Sequence, residues 1–304
     1  MIFITQGHEK AVGLEVFLRS FVLLSKQHQK SITLVCCKDT LIKNLNLLNF
    51  SFEISEKLFL FCNSALKIIE FKKDEISEST RSLEIALSKI KKGDILLTLP
   101  TSKDQLILEG QNCKGYTEFL RKRFLNENLC MVFRAFNHTT LLITDHIPLS
   151  QVPSTVTREL IESKVNTCIN YLDKYFNTVD EVIISGLNPH CGENGLLGTE
   201  DSVIDDAVKE LNKSIKVIGP VSGDTLHFHN NININQLKVY IYHDQGLAPF
   251  KNQFKTIGLN ITFGLPFIRM SVDHGTAFDL YGRGVADFSG CYYMLKEAIK
   301  LDKK

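Results

Sequence analysis

Short apolar runs alternating with longer amphipathic stretches constrain this chain more than any other feature. The runs near 1–5, 32–37, 95–99, 130–134, 140–144, 181–186, 215–219, 238–242 and 259–263 read as buried strands, and many of the intervening stretches show helical spacing. Parallel strands need crossovers of about this length, so the pattern predicts an α/β fold of α/β/α layers with mainly parallel sheets. The clearest helix is predicted over 155–176, where Val156, Leu160, Ile161, Val165, Cys168, Ile169 and Leu172 form one stripe. Another begins near Thr199, with Glu200 and Asp201 where the helix dipole favours acids, and apolar Ile204, Ala207, Val208 and Leu211 following.

At 304 residues the chain is long enough for two domains, and no flexible tether divides them. With 35 basic against 34 acidic residues there is no positive field to hold nucleic acid or an anionic membrane. Small molecules and other subunits are the expected partners. Glu9, Lys10, Glu15 and Arg19 interrupt any N-terminal apolar core, and no stretch is long enough to span a bilayer. The eight cysteines form no CxxC pair and lie mostly in apolar runs, so they are expected to be reduced and the protein cytoplasmic.

Three of nine histidines follow apolar runs: His146 after Leu141 to Thr144, His190 after Val182 to Ser185, and His243 after Val239 to Tyr242. In an open parallel sheet such positions lie at carboxyl strand ends, where ligand crevices form. Two readings stand at this point. The three are ordinary loop or capping residues, or they converge as a catalytic metal site with open positions, suited to zinc, cobalt or nickel. His28, His227 and His229 read as surface residues. The glycine-rich turn 186–198 is either a tight turn or a phosphate cradle. There is no P-loop, no HExxH, and no dinucleotide fingerprint, since Gly282-Arg283-Gly284-Val285-Ala286 follows no predicted strand.

Five segments carry a family resemblance: TDHIPL (144–149), GLNPHCGENGLLGTE (186–200), GPVSGDTL (219–226), YHDQGLAPFK (242–251) and NITFGLPFIRMSVDHGTAFDLYGRGVAD (260–287). Together they resemble the 4-hydroxythreonine-4-phosphate dehydrogenase family of pyridoxal phosphate biosynthesis. The resemblance implies that His146, His190 and His243 bind one divalent metal (zinc, cobalt, magnesium or manganese), and that Lys251, Asn260, Arg269 and Thr117 bind substrate. A family histidine beside Thr117 is Tyr116 here, which donates one hydrogen bond but carries no positive charge at neutral pH. Lys103 matches a lysine of a first-domain loop, and Asp244 is an expected orienter or proton relay beside His243. The N-terminal pattern TPGEPAGIGPE reads Thr5-Gln6-Gly7-His8-Glu9-Lys10-Ala11-Val12-Gly13-Leu14-Glu15, without its prolines.

The segment His274-Gly275-Thr276-Ala277, through to Asp287, is also similar to the adenosine-binding string of isocitrate and isopropylmalate dehydrogenases. This implies their two-domain fold, an active site in the interdomain cleft, and NAD, or NADP in its place, bound outside any Rossmann loop. It also implies a homodimer sharing the site between subunits and a final helix returning to the first domain. By analogy, residues 1–108 with 279–304 form the first domain, and 109–278 the second, carrying the metal site and the dimer interface. The implied reaction is NAD-dependent oxidation of 4-phosphohydroxy-L-threonine, then decarboxylation to 3-amino-2-oxopropyl phosphate. Alternatives are the same chemistry on another phosphorylated hydroxy acid such as a four-carbon sugar acid phosphate, a cofactor-free three-histidine metallohydrolase, and an idle binding paralogue.

Overall fold

The computed structural model describes residues 1–55 and 57–303. Its strands, in chain order, are β1 Ile2–Thr5, β2 Ile32–Cys37, β3 Phe52–Ser55, β4 Leu58–Phe61, β5 Ser64–Phe71, β6 Ile95–Thr98, β7 Ile107–Leu108, β8 Gln111–Asn112, β9 Cys130–Ala135, β10 His138–Leu142, β11 Glu181–Ser185, β12 Lys216–Val221, β13 Gln236–Tyr240, β14 Leu259–Phe263 and β15 Ile268–Val272. Each of the nine predicted strands is present. The sequence pattern missed β3 to β5, the small β7–β8 ladder and β15. In β3 to β5, charges at Glu53, Lys67 and Glu70 break the apolar runs, because β3 is largely exposed and β5 alternates between buried and exposed residues. In β15 a fully buried run contains Arg269 and Ser271.

The chain forms two units, residues 1–125 with 265–304, and residues 126–264. The expected boundaries at 108/109 and 278/279 shift for identifiable reasons. The Tyr116–Phe124 helix is anchored in the first unit, where the Tyr116 hydroxyl donates to the Leu99 carbonyl at 2.9 Å and Phe124 meets Phe267 edge-on at 5.6 Å. Strand β15 pairs in parallel with β6, aligning Arg269 with Leu96 and Ser271 with Thr98. Tyr116, Thr117, Arg269 and His274 to Ala277 therefore belong to the first unit. The final helix Ser289–Asp302 also returns there, and Asp302 accepts from the Met1 amino group at 2.6 Å.

The first unit's sheet runs β15-β6-β1-β2-β5-β4-β3. It is parallel from β15 to β5, and antiparallel through β4 and β3. Its parallel strands β1, β2 and β6 are buried throughout, the mark of a sheet covered on both faces. Truncating a residue such as fully buried Phe17 to alanine would cost about 3–5 kcal/mol.

The second unit's sheet runs β12-β11-β13-β10-β9-β14. Its first four strands are parallel and β9 is antiparallel to both neighbours. The Arg158–Tyr175 helix begins later than predicted because the Thr157 hydroxyl accepts from Leu160 N at 3.1 Å, while residues 152–155 form a separate short helix. Ile161, Val165, Cys168 and Leu172 form its buried stripe, as the periodicity implied. None of the eight cysteines is disulfide-bonded, and six are buried. Among the described residues, no helix is long and apolar enough to cross a membrane.

Candidate active site

Strands β11, β13 and β10 lie side by side, with Ile184 aligned to Val239 and Leu142 to Tyr240. His243 thus follows the central strand, with the loop of His190 on one side and that of His146 on the other. Past Leu142 the parallel pairing continues: Ile143 N donates to Tyr240 O at 2.9 Å, and Thr144 N to Ile241 O at 3.0 Å. The Thr144 hydroxyl adds a 2.7 Å bond to the same carbonyl. That extension sets His146 against His243, with ring centroids 5.3 Å apart, in a pocket of about 270 Å³ shared with Asp145, Tyr242 and Asp244.

His243 is the first residue of the helix His243–Phe254, and its Nδ1 lies 2.7 Å from Asp244 Oδ1. An ionised carboxylate only accepts, so Nδ1 is the donor in this bond, and the neutral imidazole in this orientation offers Nε2 as its acceptor or ligating nitrogen. His190 is arranged alike, with Nδ1 2.7 Å from Glu193 Oε1, a bond that raises its pKa. It sits in a run of left-handed residues, His190, Cys191, Glu193 and Asn194. It lines a separate pocket that also has Tyr242 in its wall. Neutral imidazoles suit zinc, cobalt or nickel. His146 and His243 fit such an ion together. Among the described residues no three His, Cys, Asp or Glu side chains gather as one potential metal cluster, so His190 stands apart from the pair.

The loop bearing His190 is held from below. Asp201, predicted as a dipole-favoured acid, is buried and accepts from Leu187 N at 2.7 Å and Asn188 N at 3.0 Å. A Cβ at Gly192 would lie 2.5 Å from Gly198 O, so the turn closes only with glycine there. Gln245 is the residue that motif reading overlooked. Its Nε2 donates to Gly186 O at 2.8 Å while its Oε1 accepts from Ile241 N at 2.9 Å, tying the His190 loop to the His243 helix. It occupies the third helical position, from which it reaches back past the cap Tyr242 to the preceding residue, a variant of the capping-box bond. The signal was muted because the cap, Tyr242, is neither serine nor threonine.

The other expected substrate residues lie elsewhere. Lys251 is exposed two turns along the same helix and does not line the histidine pocket. Asn260 aligns through Phe133 with Thr140, six residues short of His146, and its buried Oδ1 has no partner among the described residues. In the first unit Arg269 is 3% exposed. Its Nε and a terminal nitrogen donate to Thr98 Oγ1 at 3.0 and 2.6 Å, and its guanidinium lies 5.0 Å from the Tyr116 ring centre. Burial lowers the Arg269 pKa to about 10 and raises that of Tyr116 to about 12. Thr117 is buried beside Tyr116, and Lys103 is exposed in a short 3-10 turn.

At the carboxyl edge of that unit's sheet, Thr276 O accepts from Val12 N at 3.0 Å and His8 N donates to Pro100 O at 3.0 Å. The His274 Nδ1 lies 3.0 Å from Gly275 O, and its buried Nε2 has no partner among the described residues. Ala277 is left-handed. Ala286 N, just before Asp287, donates to Glu15 Oε1 at 3.0 Å. Gln6, where the family pattern has proline, is fully buried. Its backbone N donates to Ser82 Oγ at 2.9 Å, a bond proline lacks, and its Oε1 accepts from Cys37 N at 2.7 Å.

The family model described as pyridoxal phosphate biosynthetic protein PdxA matches residues 21–301. The chain is 33% identical over 317 residues to the 4-hydroxythreonine-4-phosphate dehydrogenase of Sulfurimonas denitrificans, covering 100% of this chain and 98% of that one. The 4-hydroxythreonine-4-phosphate dehydrogenase structure from Klebsiella pneumoniae superposes with TM-score 0.78 at 27% identity, over 99% of each chain. Isocitrate dehydrogenase from Methylococcus capsulatus shares the fold, with TM-score 0.51 at 10% identity, over 97% of this chain and 83% of that one. With nearly its whole length matched, the chain belongs to the PdxA family of pyridoxal phosphate biosynthetic proteins.

Proposed function

We propose that this protein oxidises 4-phosphohydroxy-L-threonine with NAD to a β-keto acid that decarboxylates to 3-amino-2-oxopropyl phosphate, within pyridoxal phosphate biosynthesis. Family membership supports the reaction class. One observation carries the site: the His146 and His243 imidazoles side by side at the carboxyl ends of adjacent parallel strands. His146 and His243, with His190 from the next strand, are the residues that would hold a divalent ion. Such an ion supplies acidification of the substrate's secondary hydroxyl and stabilisation of negative charge on that oxygen.

The protein's own groups do the rest. Asp244 and Glu193 each accept from an imidazole Nδ1, which leaves Nε2 as the nitrogen that would ligate. Arg269 and Lys251 supply positive charge for phosphate and carboxylate, and the open Oδ1 of Asn260 accepts a substrate N–H or O–H. Tyr116, with its ring against Arg269, and Thr117 beside it in the chain complete this side, and residues 274–277 with Asp287 hold the adenosine end of NAD. The working form is a homodimer that shares the site.

The test is NADH formation by the purified protein with 4-phosphohydroxy-L-threonine, NAD and zinc, cobalt, magnesium or manganese. Turnover that disappears in His146→Ala and His243→Ala is expected. Hydrolysis without NAD, or no NADH with any of these ions, would overturn the reading. A four-carbon sugar acid phosphate belongs in the same panel, since Tyr116 withholds a positive charge that histidine would offer.

A further inference from the structure

The geometry points to a second oxyanion site, at the opposite end of the second unit's parallel strands from the histidine pair: a cavity built on Lys238 that takes the phosphate or carboxylate group of a small molecule. Lys238 lies within β13, between Ile183 of β11 and Thr140 of β10, and is 3% exposed. Across the ladder Thr140 faces Phe133, whose ring meets Phe250 edge-on at 5.7 Å, so the lysine shares a face with the apolar core beneath the His243–Phe254 helix. A charged group there needs a counter-charge or a full set of acceptors. Its Nζ has one recorded partner, the His227 carbonyl at 3.3 Å, and no ion pair among the described residues.

The surroundings do not supply the missing charge. The cavity, about 310 Å³, is lined by Asn137, His138, Asn231, Asn233 and Gln236 beside Lys238, with no Asp or Glu among the described residues of its wall. The nearby acids are engaged elsewhere. Glu181 is taken by Lys216 at 2.5 Å and by Gln236 at 2.7 Å, and Asp180 accepts from Asn235 N at 2.7 Å. Burial and the charges of Lys238 and Arg134 push the His138 pKa down to about 4, as expected for a pocket with excess positive potential. The amides of Asn137, Asn231 and Asn233 beside one buried ammonium, with no carboxylate among the described residues of the wall, are the chemistry that selects an oxyanion.

The test is calorimetric titration of the full chain with inorganic phosphate and, separately, with malonate, for wild type and Lys238→Met. At least one anion is expected to bind wild type at a site whose Kd rises about tenfold or more in the variant, the loss of one charge-assisted hydrogen bond. The rate of NADH formation should be unchanged. Tighter binding of phosphate assigns phosphorylated molecules as occupants, and tighter binding of malonate assigns carboxylates. Equal binding of both anions by wild type and variant, or binding of neither by wild type, overturns the site. Should Lys238→Met fail to fold, wild-type crystals soaked in tungstate decide: an anomalous peak within hydrogen-bond distance of Nζ supports the site, and a pocket without one overturns it.

Discussion

Arg269 and His190 belong to the same family pattern, yet the protein holds them in opposite ways. Arg269 is locked inside the first unit, gripped twice by Thr98 and backed by the Tyr116 ring. His190 projects from a left-handed turn in the second unit, its side chain 64% exposed, with one bond to a carboxylate three residues away. The contrast separates a charge fixed by its surroundings from an imidazole that the fold leaves exposed on one bond. Preorganised groups lose little order when substrate arrives, whereas ordering an exposed loop side chain costs part of the binding energy.

Removing a donor from the histidine edge should have the largest effect. His243→Ala is expected to lower kcat at least about a thousandfold, about 4 kcal/mol of barrier, with loss of the bound ion measured by elemental analysis. Arg269→Lys tests the preorganised side. Lysine cannot reproduce the forked grip on Thr98, so kcat/KM should fall about a hundredfold while metal content stays the same. If metal content falls too, the two regions are not separate in the way described.

Gln245 tests the link between the histidine loops. Gln245→Leu should weaken zinc binding about ten- to a hundredfold by calorimetry. Gln245→Glu keeps the acceptor for Ile241 N but loses the donor to Gly186 O, so it should fall between the two. Equal zinc affinity in all three proteins would show that the glutamine is only structural.

His138 provides a half-buried imidazole to set against the more exposed His190. Its folded pKa, about 4 against the usual 6.5, means the unfolded chain binds the proton more readily between those values. Its contribution is therefore present above pH 6.5 and is lost as pH falls toward 4, with a slope of at most about 1.4 kcal/mol per pH unit. Urea unfolding across that window should show the slope in wild type and a flatter one in His138→Leu. Smallest is Tyr116→Phe, which removes the bond to Leu99 O and should cost about 1 kcal/mol of stability while leaving the ring under Arg269.

Much of this was legible from the residues. Apolar runs located the strands that position the site, and three histidines at similar offsets beyond their strands fall at one sheet edge, because β11, β13 and β10 are neighbours in register. The pattern did not show that His190 turns toward Glu193, since a run of positive φ angles in non-glycine residues leaves little trace in composition. The fold analogy placed Arg269 in the second domain; an arginine inside an apolar run hides a buried strand from the pattern, and the pairing of β15 with β6 sets it in the first unit. Gln6 was read as a lost proline, whereas its amide groups join β1 to β2 and to the Glu78–Lys89 helix. Long-range partners of that kind have no local signature.

The most direct test of the account is anomalous diffraction at the zinc edge from crystals grown with zinc. The account predicts one strong peak within ligand distance of Nε2 of both His146 and His243. A map with no peak between those rings, or with zinc bound only elsewhere on the protein, would contradict it.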